Sequence, residues 1–353
     1  MQRRVTCWAS PRTRVFRTEK VLIHRRAVVR MIPNVAHFIW YGRALPWLNA
    51  MSIVSAARAG GFSRVVLHHG PELAVETLAR LQTLPNLEAR SIDPSRAFTR
   101  SEQSAALQAL YARLTQPAAR ANLLRAAVLH AEGGVYLDMD TITLKPFGPL
   151  LSAEVFCGAE PIAFPSTLFE QPSLRGYARA HALNALREVL RLAPTGPRLF
   201  PRFAHLYTLA ANNAVLAAQP EHPFVARLLA AMLELPVDKQ LRRYALGTHL
   251  LQRTLRETAA QPASQTARAA QPVVHPQAVF YPLGPELSEH WFRLQHRIQL
   301  DEVLSPETYL IHWYASVRTR KWVQRMDLAF VQKHVQDQLL SRALSPYLDP
   351  SVP

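Results

Sequence analysis

The chain has 353 residues, 49% of them hydrophobic and 19% charged, which suits one large core or two smaller ones and excludes a wholly disordered chain. No apolar run approaches the length of about 18 residues that a spanning helix needs, and two cysteines, Cys7 and Cys157, make neither a disulfide framework nor a zinc site. The formal charge is +16, but nine basic residues and one acidic residue fall within residues 1–30, so half of the excess sits in that short leader.

Residues 1–30 read as a basic leader without fixed structure, or as a non-native start, because the first well-patterned strand follows Met31. A targeting peptide fits poorly, since no typical apolar h-region follows the basic residues. A basic tail suits nucleic acid or anionic lipid. A non-enzymatic nucleic-acid or membrane-surface binder is therefore one alternative reading of the chain. It requires basic residues interleaved with aromatics on one surface. The charge lies in the leader instead, and no nucleic-acid motif is visible, so no specific nucleic-acid partner is expected. The two cysteines fit a reducing cytosol, and the expected compartment is the cytoplasm, with peripheral membrane contact through the leader.

In chain order, Val35-Ala-His-Phe-Ile-Trp-Tyr41 is a short apolar run stopped by Gly42, which predicts a buried strand. Residues 47–59 are Ala-rich and end at Gly60-Gly61, as a helix does. Residues 64–68 predict a second strand, 72–81 a helix and 87–92 a third strand. This alternation predicts an α/β sheet with parallel strands. Residues 101–131 predict two helices broken at Pro117, the second spanning 118–131 and stopped by Gly133-Gly134. Residues 135–140 return to a strand, and 141–144 continue extended to Pro146. Further helices are predicted over 178–192, 223–235 and 245–258, and residues 259–276, rich in Ala, Gln, Pro and Ser, predict a surface loop. No internal repeat is present.

The segment richest in chemistry is Gly133-Gly-Val-Tyr-Leu-Asp-Met-Asp140. Asp138 and Asp140 end an apolar strand at a spacing of two, which puts both side chains on one side if the backbone stays extended. Two carboxylates held close repel, and burial raises the cost. A hard divalent cation, Mn²⁺ or Mg²⁺, removes that cost and keeps positions open for phosphate oxygens. On that reading, Asp140→Asn relieves repulsion and slightly raises the stability of the metal-free protein. A bare Asp-x-Asp is common, and the alternative is a solvated pair at a strand end.

Five landmarks in one order narrow the choice. They are Ile32–Gly42, Asn122-Leu-Leu-Arg125 with Gly133–Asp140 and Leu144-Lys-Pro146, Asn212-Asn-Ala-Val-Leu-Ala-Ala with Glu221-His-Pro-Phe224, Val279-Phe-Tyr-Pro282, and Leu310-Ile-His-Trp-Tyr314. Together they resemble the Asp-x-Asp sugar transferases of glycosyltransferase family 32, a group that includes lactosylceramide α-galactosyltransferases, initiating mannosyltransferases and bacterial capsule enzymes. The resemblance spans about residues 31–320. It implies a GT-A-type α/β fold, with a mostly parallel central sheet and a helical acceptor-side elaboration. The implied domains are the leader, a transferase domain over 31–320, and a C-terminal helix and tail over 321–353.

The resemblance also implies roles. Trp40 stacks on the donor nucleobase, Arg125 lies near the donor sugar and phosphates, and Tyr136 borders the donor pocket. Asn122 stands where the family often has Asp, which leaves donor identity open. Asn213 falls on the acceptor or sugar side. Asp138 and Asp140 bind the metal, with His312 close to metal and diphosphate. Asp138, Asp140 and Arg125 form the expected catalytic set. The implied partners are a UDP- or GDP-hexose donor and a glycan or glycolipid acceptor, with retention at the anomeric carbon. A protein acceptor, as in toxin-like transferases, is the alternative within the same fold. Two departures stand out: Leu246-Gly247-Thr248 replaces the family's Gly-Pro segment, and His312-Trp313-Tyr314 lacks the usual aromatic placement after the histidine.

Overall fold

The computed structural model describes residues 31–241, 245–260, 271–294, 298–316 and 318–350. The readings made for residues 1–30, Cys7 included, lie outside the described residues. The elements that build the sheet and its cover are β1 (Val35–Trp40), α1 (Trp47–Ala59), β2 (Arg64–His69), α2 (Val75–Leu81), β3 (Leu87–Ser91), α3 (Pro94–Phe98), α4 (Ser104–Arg113), α5 (Pro117–Glu132), β4 (Gly134–Leu137), β5 (Thr141–Thr143) and β6 (Val155–Ile162). They continue with α6 (Ser166–Glu170), α7 (Leu174–Leu192), α8 (Gly196–Phe203), β7 (Thr208–Ala218), α9 (Pro223–Glu234), α10 (Val237–Gln240), α11 (Thr248–Ala259), β8 (Val273–His275) and β9 (Leu310–His312). None of the helices described is long and apolar enough to cross a membrane.

Seven strands form one sheet in the order β3-β2-β1-β4-β7-β6-β8. β7 runs antiparallel to both its neighbours, and the other pairings are parallel. The fold is therefore the mostly parallel α/β arrangement of the GT-A type. Strand order reverses between β1 and β4, because β2 and β3 lie on one side of β1 and β4 on the other. In such sheets the crevice beyond the carboxyl ends of the strands at the reversal is where ligands sit. Trp40 ends β1, and Asp138 follows the last residue of β4 at that place.

Two glycines turn α5 into β4. Gly133 has φ 69° and Gly134 φ 102°. A Cβ on Gly133 would lie 2.6 Å from Pro220 Cδ, and one on Gly134 would lie 2.7 Å from the carbonyl oxygen of Val35. Only glycine meets both the backbone angle and the close approach. α5 is buried from Leu123 through Ala131, so its registry is fixed by packing on both sides.

The extended run expected through residues 135–144 is two strands in two sheets. β4 stops at Leu137, and residues 138–140 turn. β5 then pairs antiparallel with β9 in a separate two-stranded sheet, which sets Thr141 opposite His312. β6 and β7 stand where no strand was expected, and β8 lies within the expected loop. β7 reads Thr-Leu-Ala-Ala-Asn-Asn-Ala-Val-Leu-Ala-Ala, which is poor in β-formers, and pairing to β4 and β6 overrides that weak propensity. From residue 320 onward there are three short helices, Arg320–Val323, Leu328–Lys333 and Leu339–Leu344, in place of one helix and a tail. Leu339, Leu340, Ala343 and Leu344 belong to the core that also holds β1 and α1, and Arg58 donates to the Tyr347 carbonyl at 2.9 Å.

His37 on β1 and His68 on β2 are buried side by side, with Nδ1 of His37 3.1 Å from Nε2 of His68. Nε2 of His37 lies 3.0 Å from the Gly133 carbonyl, which only accepts, so that nitrogen carries the proton and Nδ1 accepts from His68. Burial lowers both residues from 6.5 to about 3. The unfolded chain binds these protons below pH 6.5 and the folded chain refuses them down to pH 3. Stability is thus full above about pH 6.5 and falls by about 1.4 kcal/mol per pH unit for each histidine below it. Urea unfolding is expected to show a loss of about 2–4 kcal/mol between about pH 7.5 and pH 5. His68→Gln should flatten that slope, and a pH-independent midpoint over this interval would contradict the assignment.

Candidate active site

An open cleft of about 660 Å³ lies at the carboxyl ends of β1 and β4, walled by Trp40, Arg125, Asp138, Asp140, Asn213 and His312 among others. Its floor is the turn from β4 to β5. Side-chain and backbone donors hold that turn from behind. Asn49 Nδ2 and Ser52 Oγ on α1 both donate to the Met139 carbonyl, at 2.7 and 2.9 Å. Thr141 Oγ1 donates to the Asp138 carbonyl at 2.8 Å. The Asp138 amide donates to the Ala214 carbonyl of β7, and the Trp313 amide donates to the Asp140 carbonyl, each at 2.9 Å. The two aspartates face one site because this turn is clamped, not because the strand stays extended.

Each carboxylate has its own partner. Asp138 Oδ1 accepts from Arg125 at 2.7 Å and from the Tyr136 hydroxyl at 2.8 Å. Asp140 Oδ1 lies 3.0 Å from His312 Nε2, and its Oδ2 accepts from the Ala315 amide at 2.6 Å. Burial pushes Asp140 upward, but His312 and the amide outweigh it and hold its carboxyl below the usual range. Burial also works against a charged His312, yet Asp140 beside it raises its proton affinity. Burial and the neighbouring Asp140 push Asp138 up against the pull of Arg125. The metal-free site is therefore two ion pairs rather than two bare carboxylates. Asp140→Asn would relieve the push on Asp138 but also unbalance His312, which reverses the expected net effect on metal-free stability.

One ligand atom from each of Asp138, Asp140 and His312 lies within 4.8 Å of the others. Two carboxylate oxygens and one imidazole form a donor set that Mn²⁺ or Mg²⁺ accepts. The Nδ1 of His312 is buried without a partner, so Nε2 is the nitrogen turned toward the aspartates.

The other residues singled out from the sequence also reach the cleft. Trp40 is half-buried on its wall. Asn213 Nδ2 donates to Asn122 Oδ1 at 2.9 Å, so the two amides form one polar strip. Arg125, expected near the donor sugar and phosphates, lines the cleft but is only 4% exposed, and its hydrogen bonds are internal. Its guanidinium donates to the Asn213 carbonyl at 2.5 Å and to Asp138, and it lies 4.1 Å over the Tyr136 ring. Arg125 and Tyr136 thus orient Asp138 and the Asn213 strand.

Sequence reasoning missed Glu160, Tyr314, Asn49 and Ser52. Glu160 lies on β6 and lines the cleft at 8% exposure, and burial raises its pKa. A lone carboxylate inside Val-Phe-Cys-Gly-Ala-Glu-Pro-Ile was the available signal. Asn49 and Ser52 gave none, since polar residues on a helix usually face water.

Residues 66–157 match the family model described as "Glycosyltransferase sugar-binding region containing DXD motif". That segment holds Asn122, Arg125, Tyr136, Asp138 and Asp140, while Trp40, Asn213 and His312 lie outside it. No curated protein matches the chain. Among solved structures, the chain is similar to "PaToxG Glycosyltransferase", with 16% identity, 64% of this chain and 70% of that chain covered, and a TM-score of 0.39. The ligand-free glycosyltransferase domain from the YGT toxin gives 10% identity, coverage of 90% and 100%, and a TM-score of 0.41. GlyE of Streptococcus pneumoniae TIGR4 gives 11%, coverage of 88% and 63%, and a TM-score of 0.39. Likenesses of this size say nothing about donor or acceptor. The class that the sheet, the Asp-x-Asp turn and the matching segment define is the glycosyltransferases. This chain is one, with a sugar-binding region of the DXD type.

Asp140→Asn is expected to lower metal-free stability by about 1–3 kcal/mol, since it removes the negative charge beside buried His312 and leaves one acceptor oxygen for two donors, His312 and the Ala315 amide. Urea unfolding in EDTA checks this. A variant as stable as wild type or more so would restore the repulsion reading.

Proposed function

We propose that the chain transfers a hexose from a nucleotide-diphosphate sugar, UDP- or GDP-linked, to a hydroxyl of a saccharide or lipid-linked acceptor. The observation that carries this reading is the convergence of Asp138, Asp140 and His312 on a cleft whose wall includes Trp40. The three residues would hold Mn²⁺ or Mg²⁺, which when bound supplies Lewis-acid stabilisation of the leaving diphosphate. Arg125 and Tyr136 fix the rotamer of Asp138, so the site is formed before the donor arrives. Trp40 offers its indole face to the nucleobase. The Asn122–Asn213 strip offers amide donors and acceptors to sugar hydroxyls. Residues 116–119 and 246–248 line the cleft as well and form the acceptor's side of it in this reading. Retention, the acceptor class and peripheral membrane contact rest on the resemblance and the basic leader.

Two protein carboxylates and one imidazole make a modest site for a hard cation, which recruits phosphate oxygens to complete its shell. Metal and nucleotide should therefore bind together, each tightening the other by the same factor. Thermal unfolding with UDP or GDP, with and without Mn²⁺, tests this. The melting temperature should rise markedly only when both are present, and no rise with either nucleotide plus metal would refute the reading. Trp40→Ala should weaken nucleotide binding by about 1–3 kcal/mol in calorimetry. Unchanged affinity would assign Trp40 to packing alone.

A further inference from the structure

Glu160 is a buried carboxylate in a wall of the sugar-transferase cleft, and the metal trio does not use it. It sits on β6 opposite Ala210 of β7 and is 8% exposed. Among the described residues no basic side chain stands within ion-pair distance of it; its donors are neutral. The Tyr314 hydroxyl donates to Oε2 at 2.6 Å, and the Asn212 amide is its other side-chain partner. Burying a carboxylate whose hydrogen-bond donors are neutral is costly even with His312 near enough to favour its charged form, and folds rarely keep such a group without use for it.

Tyr314 supplies an independent observation. Its φ is 55°, in the left-handed region that an aromatic residue seldom occupies. Such backbone is held only where surrounding contacts enforce it, and it concentrates at functional sites. Here Thr319 Oγ1 donates to the Tyr314 carbonyl at 2.8 Å, and the ring centroids of Tyr314 and His312 are 3.8 Å apart. The strained residue therefore spans from the metal-site histidine to the buried carboxylate. Glu160 is thus linked through Tyr314 to the histidine of the metal trio. The cleft also runs past it, since Glu160 and Asn212 both line the wall. A carboxylate is an acceptor only, and the donors on a nucleotide-sugar are the pyranose and ribose hydroxyls and the N–H groups of the base; the link through Tyr314 to His312 of the metal trio favours the pyranose hydroxyls, which adjoin the diphosphate.

We infer that Glu160, oriented by Tyr314, is a specificity-determining residue that accepts a hydrogen bond from a pyranose hydroxyl in the cleft. Its position beside the metal site favours the transferred hexose over the acceptor sugar as the source of that hydroxyl. The inference rests on the glycosyltransferase reading above.

The test measures donor hydrolysis by wild type, Glu160→Gln and Tyr314→Phe with a panel of UDP- and GDP-hexoses and their monodeoxy analogues, beside calorimetry of UDP and GDP with Mn²⁺. Glu160→Gln should keep nucleotide affinity within about twofold. Its kcat/KM should fall roughly 10–100-fold for the intact donor, the size of a lost hydrogen bond to a charged group. For the analogue lacking the contacted hydroxyl, wild type and variant should converge. Tyr314→Phe keeps the carboxylate but frees it, and a smaller loss with the same convergence is expected; this variant also serves if Glu160→Gln does not fold. Hydrolysis unaffected in both variants, with transfer to a saccharide acceptor panel reduced, would overturn the donor assignment and place the hydroxyl on the acceptor. Equal losses across every analogue, or loss of nucleotide affinity in step, would overturn the proposal while leaving the transferase reading in place. Wild type that binds neither nucleotide would remove that reading, and this inference with it.

Discussion

Two side chains of α1, Asn49 and Ser52, meet at the carbonyl oxygen of Met139, and the geometry of the cleft follows from that contact. Met139 is the middle residue of the Asp-x-Asp turn. Its carbonyl is held from α1, and an unpaired buried acceptor there would be costly. With two donors on it, the turn has one orientation, and both flanking aspartates line the cleft. α1 in turn is buried along nearly its whole first three turns, so the clamp is anchored in the core and not on a mobile surface. Ser55, one turn further on, accepts from the Thr143 amide and continues the same attachment into β5.

Charge is arranged around this turn in pairs. Arg125 faces Asp138 and His312 faces Asp140, so each carboxylate of the Asp-x-Asp turn meets a basic partner in the metal-free protein. The two partners differ in kind. Arg125 is permanently charged and is held by internal bonds, which makes it part of the scaffold. His312 is a titrating group whose proton affinity Asp140 raises; its imidazole is the partner of Asp140 here and a neutral ligand in the proposed metal-bound state. The site thus carries its own counter-charge on a group able to give up that role.

The sheet and the small β5–β9 ladder meet at the same turn. β9 brings His312 opposite Thr141 from nearly the far end of the chain, and the residues after it bring Tyr314 over the same region. A cleft assembled this way depends on the C-terminal part of the chain, whose short helices pack into the core shared with β1 and α1.

Much of this was legible in the sequence. The apolar runs of β1, β2 and β3, the helix ends at Gly60-Gly61 and Gly133-Gly134, and the Asp-x-Asp at the end of β4 are local signals, and local signals survive without neighbours. β7 was not legible, because its alanines and asparagines form a strand only where β4 and β6 supply the partners. Nor were the tasks of Arg125, Glu160 and Asn49. Sequence shows which residue types are present; whether a guanidinium faces a phosphate or a buried aspartate, and whether a carboxylate faces water or a cleft, is decided by packing between segments far apart in the chain. Local chemistry fixed where the Asp-x-Asp turn lies, and tertiary contacts decided what each residue around it does.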